Sequence, residues 1–345
     1  MCAIKFCLDS TLQLEGSDTF VEISRMPETP KAKNSLGSRF KREFKEYRVA
    51  YFFILPTLLF MLLVHVLPMI QGIIMSFLKL NQFTLSQYLK APFTGLKNYS
   101  DLIFNENNPV RQGLGYALRN TAIYSVVVTI SVMVIGLLVA MLLNRDFPGR
   151  GIARAAMLLP WVVPSYVVGV LWGFMWQKEG IINHILVDIL HLMSEKPFWL
   201  IGQNTIWAII IPTVWRSWPF LMVVFLAGLQ TIPDDLYEAS KIDGAGRLRQ
   251  FFSITLPMLK PIIAVQLLFQ IINNVYSYNI VAMMFGNGSG YPGKWGDLLM
   301  TALQRQTFGY WSFGGGAAAS FLLMGAMLIV VGIWYRIFRS ELRAE

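Results

Sequence analysis

Residues 238–261 read EASKIDGAGRLRQFFSITLPMLKP, a short polar stretch between two apolar stretches that are each long enough to cross a bilayer. The apolar neighbours are residues 204–230 and 261–285. A membrane protein that only lets a solute run down its gradient has no evident need for a charged, glycine-broken segment on one face. A membrane protein driven by a separate motor does need one, because mechanical work must enter through a defined contact. The stretch therefore favours a membrane protein that receives force from outside the bilayer.

The composition of the chain is that of a polytopic membrane protein. Of its 345 residues 55% are hydrophobic and 14% are charged, whereas soluble domains carry about a quarter charged residues. Helices are expected because lipid offers no partner for backbone polar groups. We predict an all-α fold with six transmembrane helices. Six stretches have the required length, at 50–78, 119–143, 155–177, 204–230, 261–285 and 316–338.

The positive charge of the chain follows membrane topology rather than nucleic-acid binding. The net charge is +9, but the basic residues are spread over the loops between apolar stretches. With the N-terminus in the cytoplasm, nineteen Lys and Arg residues lie on the cytoplasmic side and nine on the outer side. This bias predicts that both termini and the segment 231–260 face the cytoplasm. The expected location is the bacterial cytoplasmic (inner) membrane.

The ends of the chain are polar. Residues 1–48 lack the apolar centre of a signal peptide and are expected to form a basic cytoplasmic tail, with 1–25 disordered or lying ahead of a true start at Met26. A transmembrane domain is expected over 49–339 and a second cytoplasmic tail over 340–345. The two cysteines, Cys2 and Cys7, both lie in the first tail, so neither a disulfide framework nor metal-ligand spacing is present.

The polar stretch is expected to begin with a short helix and a turn. Asp234 or Asp235 can cap its start, where acidic groups suit the helix dipole. Gly244 and Gly246 then permit a tight reversal of the backbone.

A second short helix is expected from Arg247. Phe251 and Phe252 contribute to an apolar face, and Pro257 and Pro261 are expected to end this helix and restart the chain as the fifth span. The product is a helix–turn–helix outside the bilayer. It fits two interpretations, a docking contact for another protein or an amphipathic pair that lies on the lipid surface.

The same stretch carries a family motif. Glu238-Ala239-Ser240, three residues, Gly244, nine residues, Ile254, one residue and Leu256-Pro257 resemble the EAA loop of ATP-binding-cassette importer permeases of the maltose-type carbohydrate-uptake branch. Ser240 departs from the commoner Ala. The resemblance runs over about residues 50–339 and includes three further motifs, Gly95-Leu96-Lys97-Asn98-Tyr99, Asn120-Thr121 and Leu159-Pro160-Trp161-Val162-Val163-Pro164. The chain resembles the larger maltose permease subunit, without its extra N-terminal helices.

The resemblance implies a type I importer permease fold in which the polar stretch docks on an ATPase and transmits its closure. Glu238 would meet a basic group of the ATPase, and Gly244 would allow the turn. Asp243 fits either a partner contact or a local cap of the second helix. The residues implied in ATPase coupling are Glu238, Ala239, Ser240, Asp243, Gly244, Ala245 and Arg247.

Arg216 is a charged residue near the middle of the fourth span. Such a charge costs about 2.5–3.5 kcal/mol on insertion scales and tends to face a wet cavity or a partner. Trp215, Trp218 and Phe220 beside it offer flat faces for sugar C–H patches. By resemblance, the sugar-contacting positions fall on Thr213, Arg216, Ser217 and Phe220. Arg216 also fits a structural role at the kinked carbonyls near Pro212 and Pro219.

The fifth span carries a polar run from Asn273 to Asn279, which is unusual in lipid. The resemblance places solute contacts near Tyr276 and Asn279. For Asn273 and Asn274 the favoured interpretation is hydrogen bonding between helices.

We expect a sugar or oligosaccharide solute, neutral or anionic. The expected partners are a second homologous permease subunit, two ATPase subunits that bind ATP and magnesium, an extracytoplasmic solute-binding protein and membrane lipid. The chain itself is expected to hold no cofactor, metal or catalytic group and to bind no nucleic acid.

A secondary transporter is the alternative, but it would need intramembrane acids, and the spans have none. A membrane-embedded glycosyltransferase would need paired carboxylates, which here occur only in loops and tails.

Overall fold

A computed structural model describes residues 47–108, 111–286 and 290–343. The predicted tail 1–48 therefore lies outside the described residues apart from its last two positions, and so does the disorder expected over residues 1–25. Over the described ranges the chain is helical and contains no β-strand, with one isolated antiparallel bridge between Leu78 and Phe93. The all-α prediction is confirmed.

The α-helices that carry the fold are α1 (Arg48–Met61), α2 (Leu67–Ser76), α3 (Lys97–Phe104), α4 (Leu114–Leu143), α5 (Arg150–Val162), α6 (Ser165–Met175), α7 (Thr205–Leu229), α8 (Asp234–Ile242), α9 (Arg247–Gln250), α10 (Leu256–Val275), α11 (Asn279–Met284) and α12 (Phe313–Phe338). Shorter α-helices cover Ile181–Asn183, Gly293–Gly296 and Leu299–Gln304, and 3-10 helices cover Leu85–Lys90, Gly202–Asn204 and Glu341–Arg343. Single π-helical segments cover Leu62–Val66, His184–Ile189, Phe251–Thr255 and Arg305–Gly309.

Five helical segments of the described chain are long and apolar enough to cross a membrane, and the bent pair α5–α6 is the sixth candidate. Each of the six predicted stretches overlaps one of these. The five segments are Arg48–Ser76, Leu114–Leu143, Gly202–Leu229, Arg247–Met284 and Phe313–Phe338.

The chain divides into two compact units, one ending at Val64 and the other beginning at His65. The first contains α1, which is apolar along its length and whose side chains are exposed, as suits a helix in contact with lipid. The second contains all the elements that follow.

The core of the second unit forms where α4 packs along α7. Gly136 makes this approach possible, because a Cβ atom at that position would lie 2.9 Å from the Cβ atom of Leu221 and 3.1 Å from the backbone nitrogen of Met222. The small residue thus lets two backbones approach closely, as is common between membrane helices. The large side chains buried completely around this contact include Tyr124, Val128, Val132, Leu221, Met222 and Phe225.

The fifth span differs from the sequence prediction at its start. Pro257 and Pro261 do not end the preceding helix, since α9, the π-helical segment Phe251–Thr255 and α10 follow one another without a break from Arg247 to Val275. Pro257 lies in the first turn of α10, directly after the π-helical segment. In a π-helical turn the usual i→i−4 hydrogen bonds are already replaced, so the missing N–H of Pro257 interrupts nothing there.

Two of the motifs named above hold connections between spans in place. Nδ2 of Asn98 donates to the carbonyl oxygens of Ser76 at 2.8 Å and Leu78 at 2.9 Å, and the Tyr99 hydroxyl bonds to the Ser76 hydroxyl at 2.7 Å. Ser76 is the last residue of α2 and Leu78 lies two residues beyond it, where a helix leaves carbonyl acceptors without partners. The motif Gly95–Tyr99 therefore caps the first span.

Asn120 and Thr121 bind the connection between the fifth and sixth spans. Nδ2 of Asn120 donates to the carbonyl oxygens of Lys294 at 3.0 Å and Asp297 at 3.1 Å, while the Thr121 hydroxyl accepts from the backbone N–H of Leu299 at 2.8 Å. The start of α4 thus holds this connection in place.

An ion pair stiffens the same connection. Asp297 is buried and pairs with Arg305, and it also accepts a hydrogen bond from the Thr301 hydroxyl at 2.8 Å. Burial alone would lower the pKa of Arg305, but the hydrogen bond and charge of Asp297 outweigh it and raise that pKa above its ordinary value. Arg305 therefore stays charged at any physiological pH.

Candidate functional site

Two of the spans are broken, whereas the sequence prediction treated each of them as a single span. Residues 155–177 were expected to form one span, but α5 and α6 meet at 84° around Val163 and Pro164, which both have extended backbone. Proline disfavours helical geometry in the residue before it and cannot donate to the preceding turn, which accounts for the break. The fifth span breaks between α10 and α11, at residues Tyr276–Tyr278.

A cavity of about 540 Å³ lies between these two breaks and α7. It brings together all six side chains predicted to lie along the solute path, namely Thr213, Arg216, Ser217, Phe220, Tyr276 and Asn279. Their contact with solute stays a prediction. The other lining residues are Tyr124, Trp161, Ser165, Gln266, Phe269, Gln270, Asn273, Asn274, Ser277, Tyr278 and Ile280.

Arg216 joins α7 to the break in the third span. Its Nε atom donates to the carbonyl oxygen of Val163 at 2.9 Å. The sequence suggests a structural role for Arg216 at the carbonyls near Pro212 and Pro219. The carbonyl that Arg216 binds instead belongs to Val163, beside Pro164 in the third span. Among the described residues neither Nη atom has a hydrogen-bond partner, so the outer end of the guanidinium is available to the cavity.

The aromatic surface of the cavity is formed by Trp161 and Phe220, whose rings stack with centroids 5.5 Å apart and planes 22° apart. Trp215 and Trp218 were predicted to offer flat faces to a sugar, but they lie elsewhere. Trp215 meets Trp172 edge-on at 5.9 Å, and Trp218 packs against the core. On a helix, residues at positions i and i+2 do not share a face, which is why Phe220 and Trp218 separate.

The polar run of the fifth span divides into structural and cavity-lining residues. Nδ2 of Asn274 donates to the hydroxyl of Thr129 at 3.0 Å, so Asn274 does join two helices. Asn273 does not, since its Nδ2 bonds to the Phe269 carbonyl oxygen of its own helix at 2.8 Å. Nδ2 of Asn279 donates to the hydroxyl of Ser165 at 3.2 Å, which links the starts of α11 and α6.

Sequence reasoning missed several cavity residues. Gln266, Gln270 and Asn273 line the cavity from one face of α10, and their spacing of four and three residues is a helical signal that was readable in the sequence. Tyr124 had no such signal, because it lies within the long apolar stretch of α4.

The predicted helix–turn–helix is present as α8, a turn and α9. The helix begins after Pro233 and no side chain caps it, so Asp234 and Asp235 lie in its first turn and neither is the N-cap that the sequence suggested. Gly244 has φ +76°, and two hydrogen bonds close the turn, from the backbone N–H of Gly244 to the Lys241 carbonyl oxygen at 3.0 Å and from that of Ala245 to the Ser240 carbonyl oxygen at 2.9 Å. This is the Schellman arrangement, in which glycine accepts the left-handed conformation without strain.

Side-chain bonds tie the second helix back to the first. Nε2 of Gln250 donates to the Ser240 hydroxyl at 2.8 Å, and the Tyr237 and Thr255 hydroxyls are 2.9 Å apart. Ser240, where the motif usually has Ala, therefore has a bonding role in this chain.

The residues implied in ATPase coupling lie on the surface. Glu238, Ala239, Asp243, Gly244 and Arg247 are exposed, and Ser240 and Ala245 are half-buried. In the described chain no side chain caps α9, so no hydrogen bond supports Asp243 as a local cap of this second helix. Ile242 and Leu248 beside these residues are 88% and 77% exposed, which leaves an apolar surface rimmed by charges.

Named relatives resemble the chain over most of its length. The trehalose/maltose transport system permease protein MalF of Thermococcus litoralis is 31% identical over 312 residues, which cover 89% of this chain and 98% of the relative. The sulfoquinovosyl glycerol transport system permease protein SmoG of Agrobacterium fabrum is 30% identical, covering 85% of this chain and 91% of the relative.

Among solved structures, a bacterial ABC transporter involved in the import of the acidic polysaccharide alginate matches with a TM-score of 0.70 at 22% identity, covering 88% of this chain and 99% of that one. That likeness shows the fold, and with it the predicted type I importer permease architecture. The family described as binding-protein-dependent transport system inner membrane component matches residues 112–344. The chain thus belongs to this family, as a multi-pass inner-membrane permease subunit of an ABC transporter and not an enzyme in its own right.

Proposed function

We propose that this chain is a permease subunit of a binding-protein-dependent ABC importer for a sugar or oligosaccharide, and that it forms half of the translocation pathway. The observation that carries the proposal is the cavity between the two broken spans. It combines a stacked aromatic surface with amides, hydroxyls and one guanidinium, which are the groups that a polyhydroxylated solute needs. The names of MalF and SmoG, which refer to the transport of trehalose, maltose and sulfoquinovosyl glycerol, support a glycoside as solute.

The charge in the cavity favours a sugar that carries an acidic group. Arg216 is the charged residue of the cavity lining, and its Nε atom is committed to Val163 while its Nη atoms are available. A carboxylate accepts bonds from a guanidinium in a charge-assisted geometry. In a site shielded from bulk water this contact contributes more than at an exposed surface.

Coupling is assigned to segment 231–260. The exposed coupling residues and the apolar surface at Ile242 and Leu248 suit a cleft in a cytoplasmic ATPase subunit. Both termini face the cytoplasm in this arrangement. ATP and magnesium bind to two partner ATPase subunits, a second homologous permease subunit completes the pathway, and an extracytoplasmic binding protein delivers the solute.

The mechanism is alternating access. ATP binding closes the ATPases, segment 231–260 moves with them, and the spans open outward to receive solute from the binding protein. Hydrolysis resets the cavity toward the cytoplasm. A ligand-dependent preference for one of the two states is what makes such a cycle productive.

Co-purification tests the proposal. The tagged chain, expressed with its neighbouring genes, should recover an ATPase whose activity rises on addition of the binding protein. In proteoliposomes the complex should import at least one of maltose, trehalose, sulfoquinovosyl glycerol and a glucuronic acid disaccharide. Recovery of the chain alone, or import that continues without ATP, would contradict the proposal.

A further inference from the structure

Tyr124 is a lining residue of the cavity and connects two of its walls. It belongs to α4, its side chain is completely buried, and its hydroxyl lies 3.1 Å from the Thr213 hydroxyl of α7 and 2.9 Å from the Ser277 hydroxyl. Ser277 stands in the break of the fifth span between α10 and α11. One phenol therefore links the fourth span to the segment at which the fifth span is interrupted.

The direction of these hydrogen bonds follows from counting protons. Each hydroxyl has one proton to donate. The Thr213 hydroxyl donates to the carbonyl oxygen of Ile209 at 2.9 Å, so it must accept from Tyr124. The Tyr124 proton is then committed to Thr213, and Tyr124 must accept from Ser277. The chain of bonds runs from Ser277 to Tyr124, to Thr213 and to the backbone of α7.

This order determines what Ser277 can offer to the cavity. Its proton points to Tyr124, so the portion of its hydroxyl that remains for a ligand is a lone pair. Ser277 is partly exposed and lines the cavity, so this lone pair is within reach of solute. In the reverse order the Thr213 hydroxyl would donate to Tyr124 and lose its bond to the Ile209 carbonyl oxygen, so only the order given keeps all three hydrogen bonds.

We propose that the Ser277 hydroxyl is a solute-binding group that accepts a hydrogen bond from a sugar O–H, and that Tyr124 is the positioning residue that fixes it as an acceptor. The inference rests on the proposed function and deepens it. The cavity is polarised: Arg216 donates on one side and Ser277 accepts on the other. The preferred solute presents an acceptor such as a carboxylate to Arg216 and an unmodified hydroxyl to Ser277.

Deoxy and deoxyfluoro sugars show whether a sugar hydroxyl donates a hydrogen bond to the protein or accepts one from it. A deoxy analogue lacks the hydroxyl altogether, whereas fluorine in its place is a weak acceptor without a proton. We take whichever of maltose, trehalose, sulfoquinovosyl glycerol and the glucuronic acid disaccharide the wild-type complex imports best, with its singly deoxygenated and singly fluorinated analogues. In the wild type, one position should show an import KM raised about three- to tenfold for both analogues, the size of one lost neutral hydrogen bond.

In the Ser277→Ala variant, the analogues altered at that sugar position should have the same import KM as the parent sugar. Analogues altered at the other sugar positions should behave as they do with the wild type. The same binding protein delivers the sugar to the variant and to the wild-type complex. Its own preference among the analogues therefore cancels when the KM of the variant is divided by the KM of the wild type. Ser277→Thr keeps a hydroxyl and should again show the raised import KM for both analogues.

Tyr124→Phe provides a readout that a merely structural residue would not alter. Without the phenol oxygen the Ser277 proton is free to turn into the cavity, so the fluorinated analogue should become a better substrate than the deoxy analogue. Tyr99→Phe is the matched control, since it breaks a similar bond, from Tyr99 to the Ser76 hydroxyl at 2.7 Å, away from the cavity. It should leave the ratio of the two analogues at its wild-type value.

The outcomes are distinct. If the wild type imports none of the four sugars, the proposed function itself fails, and this inference with it. If the wild type imports a sugar but Ser277→Ala keeps the discrimination, or Tyr124→Phe and Tyr99→Phe behave alike, the proposed function stands and this inference is overturned.

Discussion

The Nε atom of Arg216 donates to the carbonyl oxygen of Val163 at 2.9 Å, so the charged residue of the fourth span is bonded to the break in the third. This bond occupies one of the five donor hydrogens of the guanidinium and holds its plane while the Nη atoms stay available. A structural role and a solute-binding role, which are alternatives in the sequence, are thus compatible in a single side chain.

Replacement of Arg216 should separate charged from neutral solutes. Arg216→Leu removes the cation from the cavity, so import of a glucuronic acid disaccharide should fall at least tenfold more than import of maltose, which corresponds to about 1.4 kcal/mol of lost charge-assisted binding. Uptake of both sugars into proteoliposomes is the measurement. Arg216→Lys keeps the charge and should retain some of the selectivity. Equal losses for both sugars would remove the case for an anionic solute.

Gly244 should contribute to coupling because its φ of +76° is unfavourable for residues with a Cβ atom. Gly244→Ala should cost about 1 kcal/mol in the turn and lower binding-protein-stimulated ATPase activity and import together, by about three- to tenfold. Gly246→Ala is the matched control, since Gly246 has φ −72° and a Cβ atom there would contact nothing within 4 Å. Similar activity in the two variants would argue against a role for this turn in force transfer.

Gly169 should be intolerant of a larger side chain. A Cβ atom there would lie 2.5 Å from the carbonyl oxygen of Ile280 and 2.8 Å from the Cβ atom of Met283, where α6 packs on α11. Gly169→Ala should therefore destabilise the protein by about 1–3 kcal/mol through overpacking, seen as a lower Tm of the purified complex. Gly325→Ala, in a helix with open space around the new atom, should leave Tm unchanged or raise it. A Tm for Gly169→Ala equal to that of the wild type would contradict this close packing of α6 on α11.

Asn98 should act as a donor and not merely as a polar residue. Asn98→Asp keeps the shape but cannot donate to the carbonyl oxygens of Ser76 and Leu78, so it should destabilise the fold by about 1–3 kcal/mol. Asn107→Asp, at an exposed position of the connection between the first and second spans, is the control and should leave thermal unfolding unaltered. If the two substitutions gave the same Tm, the capping role of Asn98 would be wrong.

The features readable from the sequence are those with a local physical cause. Hydrophobic length predicts the spans, and Gly244 predicts a turn that only a residue without a side chain accepts easily. Pro164 marks the position of the break in the third span, since the residue before a proline leaves helical geometry. The sequence prediction still treated 155–177 as one span, because a proline kink and an 84° break look alike in one dimension.

The break at Tyr276–Tyr278 has no local cause of this kind. It contains neither proline nor glycine, and its groups are instead held by distant partners, as Ser277 is by Tyr124 across 153 residues of chain. The sequence shows that the run from Asn273 to Asn279 is polar, but it does not show that Tyr124 is the hydrogen-bond partner of Ser277. Tyr124 itself looks like any aromatic residue in an apolar helix.

The helical continuity from Arg247 to Val275 has a mechanical consequence. At 1.5 Å per residue this helical stretch is a rod of roughly 40 Å that begins beside Gly244 and ends next to Ser277. Under the proposed coupling, a force applied at the end beside Gly244 would reach the cavity without passing through a non-helical linker. In the proposed cycle, a movement made at the end beside Gly244 would therefore change the geometry of the cavity at the other end.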